Sequence, residues 1–482
     1  MNKDKEMFRD ACWRWRERRD RPRISDFHTK YQRRMLMTFN VVLPDRSTQI
    51  INSISLMAVS VASSQRHGLP QELVDNIVDH LHNDKTALLN CSHAARALLY
   101  PSHFHLFHDV TIDWWDNPKT QAQRDIEDFD RFLHTYPSTS VFIHSLEVKP
   151  DYGVGWLTID VDTLVSSVAA LPRLHTLSLS CVSLNEMPTH PQTPSYPLRL
   201  QHLRLDGVDF SDINVTHYFF SLFSEIDELE ISSCDIERWA NVEDSQYAAR
   251  QWSPSPLRVN KLVLGPDNSD KVFMYLEALL YPRLYPNHAL RSLTVVPCQG
   301  NTDFSHMNAL GGTIAESGTF IDSLEFDIRP LAEDFSSTPT FFDLARGIIP
   351  SEIWNTLHLS RCTSLTSLTL HVDIVSSNHD GWLPSQIWNS NIDILSIASP
   401  DLQTLTLVFH PFFPSNQSIH NTLSSINWQR LDECLSRFKS LNCLELRVPR
   451  REQDRVGDMY GFFSLNRQLF FSQRGLLRIT TL

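Results

Sequence analysis

The chain repeats one hydrophobic hexad, an aliphatic residue followed by x-x-Leu-x-aliphatic. Copies run Leu174-x-x-Leu177-x-Leu179, Leu200-x-x-Leu203-x-Leu205, Ile226-x-x-Leu229-x-Ile231 and Val259-x-x-Leu262-x-Leu264. They continue at Leu290-x-x-Leu293-x-Val295, Ile321-x-x-Leu324-x-Phe326, Leu365-x-x-Leu368-x-Leu370, Leu402-x-x-Leu405-x-Leu407 and Leu441-x-x-Leu444-x-Leu446, with an earlier copy at Ile143-x-x-Leu146-x-Val148. Alternating leucines predict a short strand with its apolar side inward and polar residues such as His175, Arg204, Glu228, Glu230 and Thr369 outward. One such unit cannot cover its own apolar face, whereas stacked neighbours can. The leucines are therefore structural, and function is expected on the outward strand positions and in the connections.

The middle leucines are separated by 31, 26, 26, 33, 31, 31, 44, 37 and 39 residues, so only the shortest steps fall within the usual leucine-rich-repeat length. The longer steps read as insertions: Glu186–Pro197, Arg238–Pro256 with Trp239 and Trp252, and Asp373–Pro400 with Trp382 and Trp388. Their tryptophans are either anchors for a protein partner or packing beneath the insertions. Three consecutive copies extend by a further half-unit, and in one of them Cys234 stands where such repeats place Asn or Cys to satisfy turn backbone groups. Val182 and Val208, at the same position, cannot do so.

A different period occupies the N-terminal side. After Leu69-Pro70, the residues Leu73, Val74, Ile77, Val78 and Leu81 lie four apart on two adjacent helical rows, which predicts an amphipathic helix opened by proline. Asn83 and Asp84 offer an N-cap for a second helix carrying Leu88, Cys91, Ala95 and Leu98, expected to close at Tyr100-Pro101. Ser102 can cap a further turn with Phe104 and Phe107, and Val110-Thr111-Ile112 reads as the start of a strand. Some forty residues make a small core that is hard to sustain alone.

Composition narrows the function classes. The 482 residues carry a net charge of −13, but residues 1–34 hold twelve Lys or Arg against six Asp or Glu, leaving 31 against 50 elsewhere. An acidic body repels phosphate backbones and anionic lipid, so its partners are expected to be proteins, with no nucleic acid and no membrane. Only the basic segment, with Trp13, Arg14, Trp15 and Arg16, has the composition of a nucleic-acid or lipid contact, and a disordered tail is the plainer reading. The apolar run from Ile50 to Ala62 is too short to span a bilayer. Eight cysteines without a C-x-x-C pair point to a reducing compartment, cytoplasmic or nuclear.

No motif for phosphate cradling, zinc hydrolysis or a serine nucleophile is present, and Gly153-Val154-Gly155 lacks the third glycine of a dinucleotide site. His80, His82, His103, His105 and His108 cluster around Cys91, yet packed or solvated histidines explain them without metal. Cys91 lies on an apolar helical row, where a thiol is inert. No catalytic residue, cofactor or metal is assigned.

The ordered set Leu69-Pro70-x-Glu72-Leu73, Ile77, Leu81, Asp84, Leu88, Cys91 and Arg96 resembles the F-box. Asp75-x-x-Val78-Asp79-x-Leu81 with Leu106-Phe107-His108 is similar to the large fungal F-box-like family. The resemblance covers roughly residues 69–112 and departs from the family where Ala97-Leu98-Leu99 replaces a tryptophan that often follows the arginine. It implies binding to a Skp-type adaptor of a cullin-RING ubiquitin ligase through Leu69, Pro70, Leu73, Ile77, Val78, Leu81 and Leu88. The fold class expected is α/β: a short all-α F-box-like module (67–112) followed by an irregular leucine-rich repeat solenoid with parallel strands (113–482), after a basic segment (1–66). The expected function is substrate recognition for an SCF-type ligase, with an unknown protein target. A repeat scaffold unlinked to any ligase is the alternative. An enzyme, the third reading, requires clustered polar residues with perturbed ionisation in one cleft.

Overall fold

The computed structural model describes residues 70–114, 118–150, 156–185, 197–238, 257–265, 289–296, 305–327, 351–373, 383–410, 423, 426–448, 459, 461–463 and 474–481. Residues 1–69, including Leu69, the Gly153 motif, Trp239, Trp252 and Trp382 lie outside them. The chain divides into two compact units, Met1–Asp113 and Trp114–Leu482.

The first unit is helical over most of its described length. Helix α1 (Gln71–Asp79) begins after Pro70, and α2 (Lys85–Ala94) is capped by the Asp84 carboxylate, which accepts the Ala87 N–H at 2.9 Å. Helix α3 (Arg96–Phe107) corrects the sequence reading: the break comes at Ala95, in extended conformation, and Pro101 and Ser102 lie inside α3 rather than at a boundary. Proline at position 101 leaves the Ala97 carbonyl without its helical donor. Gln71 Nε2 donates to that carbonyl at 3.3 Å, so α1 repairs the defect in α3. Val78, Leu88 and Leu106 form the core, flanked by Leu81, Leu98 and Phe107. Strand β1 (Asp109–Trp114) follows.

The second unit is mixed α/β with an open parallel sheet. Its strands are β2 (Ser145–Pro150), β3 (Leu157–Asp160), β4 (Thr176–Asn185), β5 (Leu198–Asp212), β6 (Phe223–Ser232), β7 (Asp235–Arg238) and β8 (Arg258–Leu264). They continue as β9 (Ser292–Val295), β10 (Ser323–Phe326), β11 (Ser367–Asp373), β12 (Thr404–His410), β13 (Cys443–Val448) and β14 (Leu477–Thr481). The main order is β2-β4-β5-β6-β8-β9-β10-β11-β12-β13-β14, with β3 beside β4 and β7 beside β5. Register follows the hexad: Leu146, Leu177, Leu203, Leu229, Leu262, Leu293, Leu324, Leu368, Leu405, Leu444 and Leu477 stand in one row across the sheet.

A second row of hydrogen bonds fastens each copy to the next. The His144 carbonyl accepts the N–H groups of His175 and Thr176, and the His175 carbonyl those of Gln201 and His202. Asp322 does the same for Thr366 and Ser367, and Gln403 for Asn442 and Cys443. Each entering segment is thereby satisfied by its predecessor.

Between the strands run α4 (Pro118–Thr135), α5 (Val161–Ala169), α6 (Ile213–Phe220), α7 (Ser305–Ser317), α8 (Ser351–Thr356), α9 (Leu383–Ile397) and α10 (Trp428–Leu435). Parallel strands require such crossovers. Asp160, Asp212 and Asn427 cap α5, α6 and α10 through backbone N–H groups. The Asp373–Pro400 "insertion" is largely α9, and Trp388 is buried, its Nε1–H donating to the Asn427 carbonyl at 3.3 Å and its ring edge-on to Trp428. The packing reading holds for this tryptophan. No helix among the described residues is long and apolar enough to cross a membrane.

Three copies turn a corner at a left-handed residue: Cys181, Gly207 and Ser233 have φ of 51°, 64° and 52°. Beyond it Leu157, Val182 and Val208 pair in a further ladder, as do Phe210 and Ile236. At this corner Cys234 Sγ–H lies 3.3 Å from the Ser232 carbonyl and 3.6 Å from that of Leu205, the role expected from its position. A closer approach occurs at Gly311 in α7, where an added Cβ would stand 1.9 Å from the Thr356 carbonyl oxygen at the end of α8. Gly311→Ala is expected to cost about 1–3 kcal/mol despite alanine's better helix propensity. A lowered thermal midpoint checks it, and a raised midpoint contradicts the packing.

Candidate protein-binding surfaces

The first surface lies on α1. Val74 and Val78 point into the core, while Leu73 and Ile77, one helical turn apart on the neighbouring row, are 49% and 40% exposed. Pro70 is also exposed, and Leu81 is half-buried against the core. Val78 and Leu88, assigned to adaptor contact from sequence, are 0% exposed. They hold the three helices together and are core, not contact, positions. Two apolar rows on one helix look alike in sequence, and only the packing of α1 against α3 separates them. Leu99 and Tyr100 on α3 add exposed apolar surface that the sequence reading placed at a helix end.

Two histidines of this unit meet Asp79, one at its carboxylate and one at its carbonyl, and a third meets a phenylalanine ring. His105 Nε2 lies 2.7 Å from Asp79 Oδ1, His82 Nδ1 lies 2.7 Å from the Asp79 carbonyl oxygen, and His103 meets Phe107 edge-on. Burial, then His93, lowers the His103 pKa, while burial, then Asp84, pushes the Cys91 thiol up. Among the described residues no group of three or more His, Cys, Asp or Glu converges as metal ligands.

The second surface is the polar side of the sheet, where the residues alternating with the leucine row line up. From β5 to β8 it carries long charged side chains in mutual pairs: Arg199 with Glu225 at 2.5 Å, Lys261 with Glu228 at 2.8 Å, and Arg204 with Glu230 at 3.5 Å. From β9 to β12 the same positions hold Ser292, Thr294, Ser323, Ser367, Thr369, Thr404 and Thr406, interrupted by Glu325. His371 stands between two carboxylates, 2.8 Å from Glu325 and 3.5 Å from Asp327. The His371 hydrogen bond, outweighing burial, holds Glu325 below its ordinary carboxylate range. Beyond the corner, burial and the neighbouring Asp235 and Glu237 push Asp209 up to about 6.

Because the Asp209 pKa is higher folded than unfolded, the folded state binds the extra proton, and stability falls as pH rises from about 4 to 6. Asp209→Asn is therefore expected to add about 1 kcal/mol at pH 7, after allowing for solvent screening, and nothing near pH 3. Chemical denaturation of both proteins at the two pH values checks this; an equal effect at both contradicts it.

Sequence reasoning missed the last strand of the sheet. At β14 the hexad reads Arg474-x-x-Leu477-x-Ile479, with arginine in the leading aliphatic place, yet Leu477 pairs with Leu444 and Ile479 with Leu446. The Leu477-x-Ile479 half was the available signal. Compared with known proteins, the chain matches no family model, and no curated protein matches it.

Proposed function

We propose that this chain is a substrate-recognition adaptor of an SCF-type cullin-RING ubiquitin ligase, working in the cytoplasm or nucleus. In this reading the three helices are an F-box-like module that docks on a Skp-type adaptor, and the sheet unit is an irregular leucine-rich repeat solenoid that holds a target protein. The observation that carries it is the exposed Leu73 and Ile77 row on α1, set on a helical unit whose core is built around Val78, Leu88 and Leu106, with Val74, Ala87 and Cys91 also buried. Apolar side chains arranged in a row at the surface fit a partner's apolar groove. Pro70 and the exposed edge of Leu81 extend the contact.

The chain contributes no catalytic residue in this reading; it acts by proximity, raising the concentration of the target beside the transferring machinery. The paired charges from β5 to β8 then select by complementary pattern more than by net attraction. Reconstitution with a purified Skp-type adaptor and cullin tests the proposal: co-migration of the chain with the complex on gel filtration is expected. Migration of the folded chain apart from it would leave the repeat scaffold.

A further inference from the structure

A cleft of about 330 Å³ opens between the C-terminal ends of α8 and α9, the residues that follow them, and Arg437 just past the end of α10. Its polar lining is Asn355, His358, Ser360, Ser396, Ser399 and Arg437, and no carboxylate lines it, although the chain carries a net charge of −13. Arg437 lies across the end of α9, donating from Nη1 to the Ser396 carbonyl and from Nη2 to the Ala398 carbonyl at 3.3 Å. A guanidinium has five N–H groups, so three remain for another acceptor.

His358 supplies an independent observation. It follows α8 in the left-handed conformation, φ 50° and ψ 31°, where a helix usually ends on glycine because a side chain there is strained. Glycine would close α8 at lower cost, yet this position carries an imidazole, exposed at the cleft. The side chains of His358, Asn355 and Ser360 make no hydrogen bond or ion pair with the described residues. Donors from two crossovers thus converge on one cavity without an acidic neighbour in its lining.

We propose that this cleft binds a small molecule bearing an oxyanion, carboxylate or phosphate, through Arg437, the His358 ring N–H and the Asn355 amide. Paired N–H donors around a cation are the chemistry that recognises such groups. The site is independent of the α1 surface.

Isothermal titration of the full chain with inorganic pyrophosphate and, separately, with citrate tests it, with sodium chloride at matched ionic strength as control. Saturable binding of at least one anion is expected, with a Kd of about 1 mM or tighter; which anion binds assigns the phosphate or carboxylate class. His358→Gly keeps the helix end and is expected to leave the thermal midpoint unchanged or raised while weakening binding about tenfold, roughly 1.4 kcal/mol. Asn355→Asp, which places a negative charge in the cleft, is expected to abolish it. Absence of saturable heat with both anions overturns the proposal, as does binding that survives unchanged in His358→Gly.

Discussion

Leu324→Ala is expected to lower the stability of the sheet unit by about 3–4 kcal/mol, near the middle of the range for a buried leucine. Leu324 is fully buried and stands between Leu293 and Leu368 in the leucine row. Truncation removes its transfer free energy and leaves a cavity that two flanking strands, each held by parallel pairing, cannot close. Leu477→Ala tests the same logic at the other extreme: Leu477 is half-buried on β14 and pairs with Leu444, so about half that loss is expected. Urea unfolding followed by circular dichroism measures both. Equal losses would mean that the row does not act as a stack of nearest-neighbour contacts.

Much of this sheet is legible in the sequence, because the hexad carries its own register. Each x-x-Leu-x step places a leucine inward, and the sheet pairs those leucines across strands despite steps from 26 to 44 residues. The variable length is absorbed in the crossovers, which is why Asp373–Pro400 read as an insertion while containing α9 at Leu383–Ile397. The corner residues were less legible: Cys181, Gly207 and Ser233 share one place in three copies but no chemistry, and only backbone conformation unites them. Helix α3 was misread because the rescue of its proline comes from Gln71, distant in sequence.

The α1 surface was legible in part. A helix with apolar residues on two rows announces that one face is buried, and Leu73 and Ile77 belong to the row left open. Assigning Val78 and Leu88 to the same face requires knowing where α3 packs, and the interrupted pattern around Pro101 concealed that. On the strand side the outward positions were predictable, but the pairing of Arg204 with Glu230 and of His371 with Glu325 depends on neighbouring strands far apart in the chain.

The second large effect concerns Leu73→Asp with Ile77→Asp. Both side chains are solvent-facing, so the double variant is expected to keep its fold, changing stability by no more than about 0.5 kcal/mol per site. Two carboxylates placed in an apolar contact lose the burial of both side chains and add desolvation, a cost of about 3 kcal/mol or more in binding. Val78→Asp places a charge in the helical core and is expected to unfold that unit, giving the reference for loss of binding through loss of structure. Circular dichroism distinguishes the two variants before any partner is added.

The most direct measurement is the equilibrium affinity of the full chain for a purified Skp-type adaptor, beside the Leu73→Asp, Ile77→Asp variant. The account predicts sub-micromolar binding by the parent chain, as the docking of an apolar helix row permits, and affinity reduced at least about a hundredfold in the folded variant. Absence of binding by the folded parent chain, or equal binding by both proteins, would contradict it.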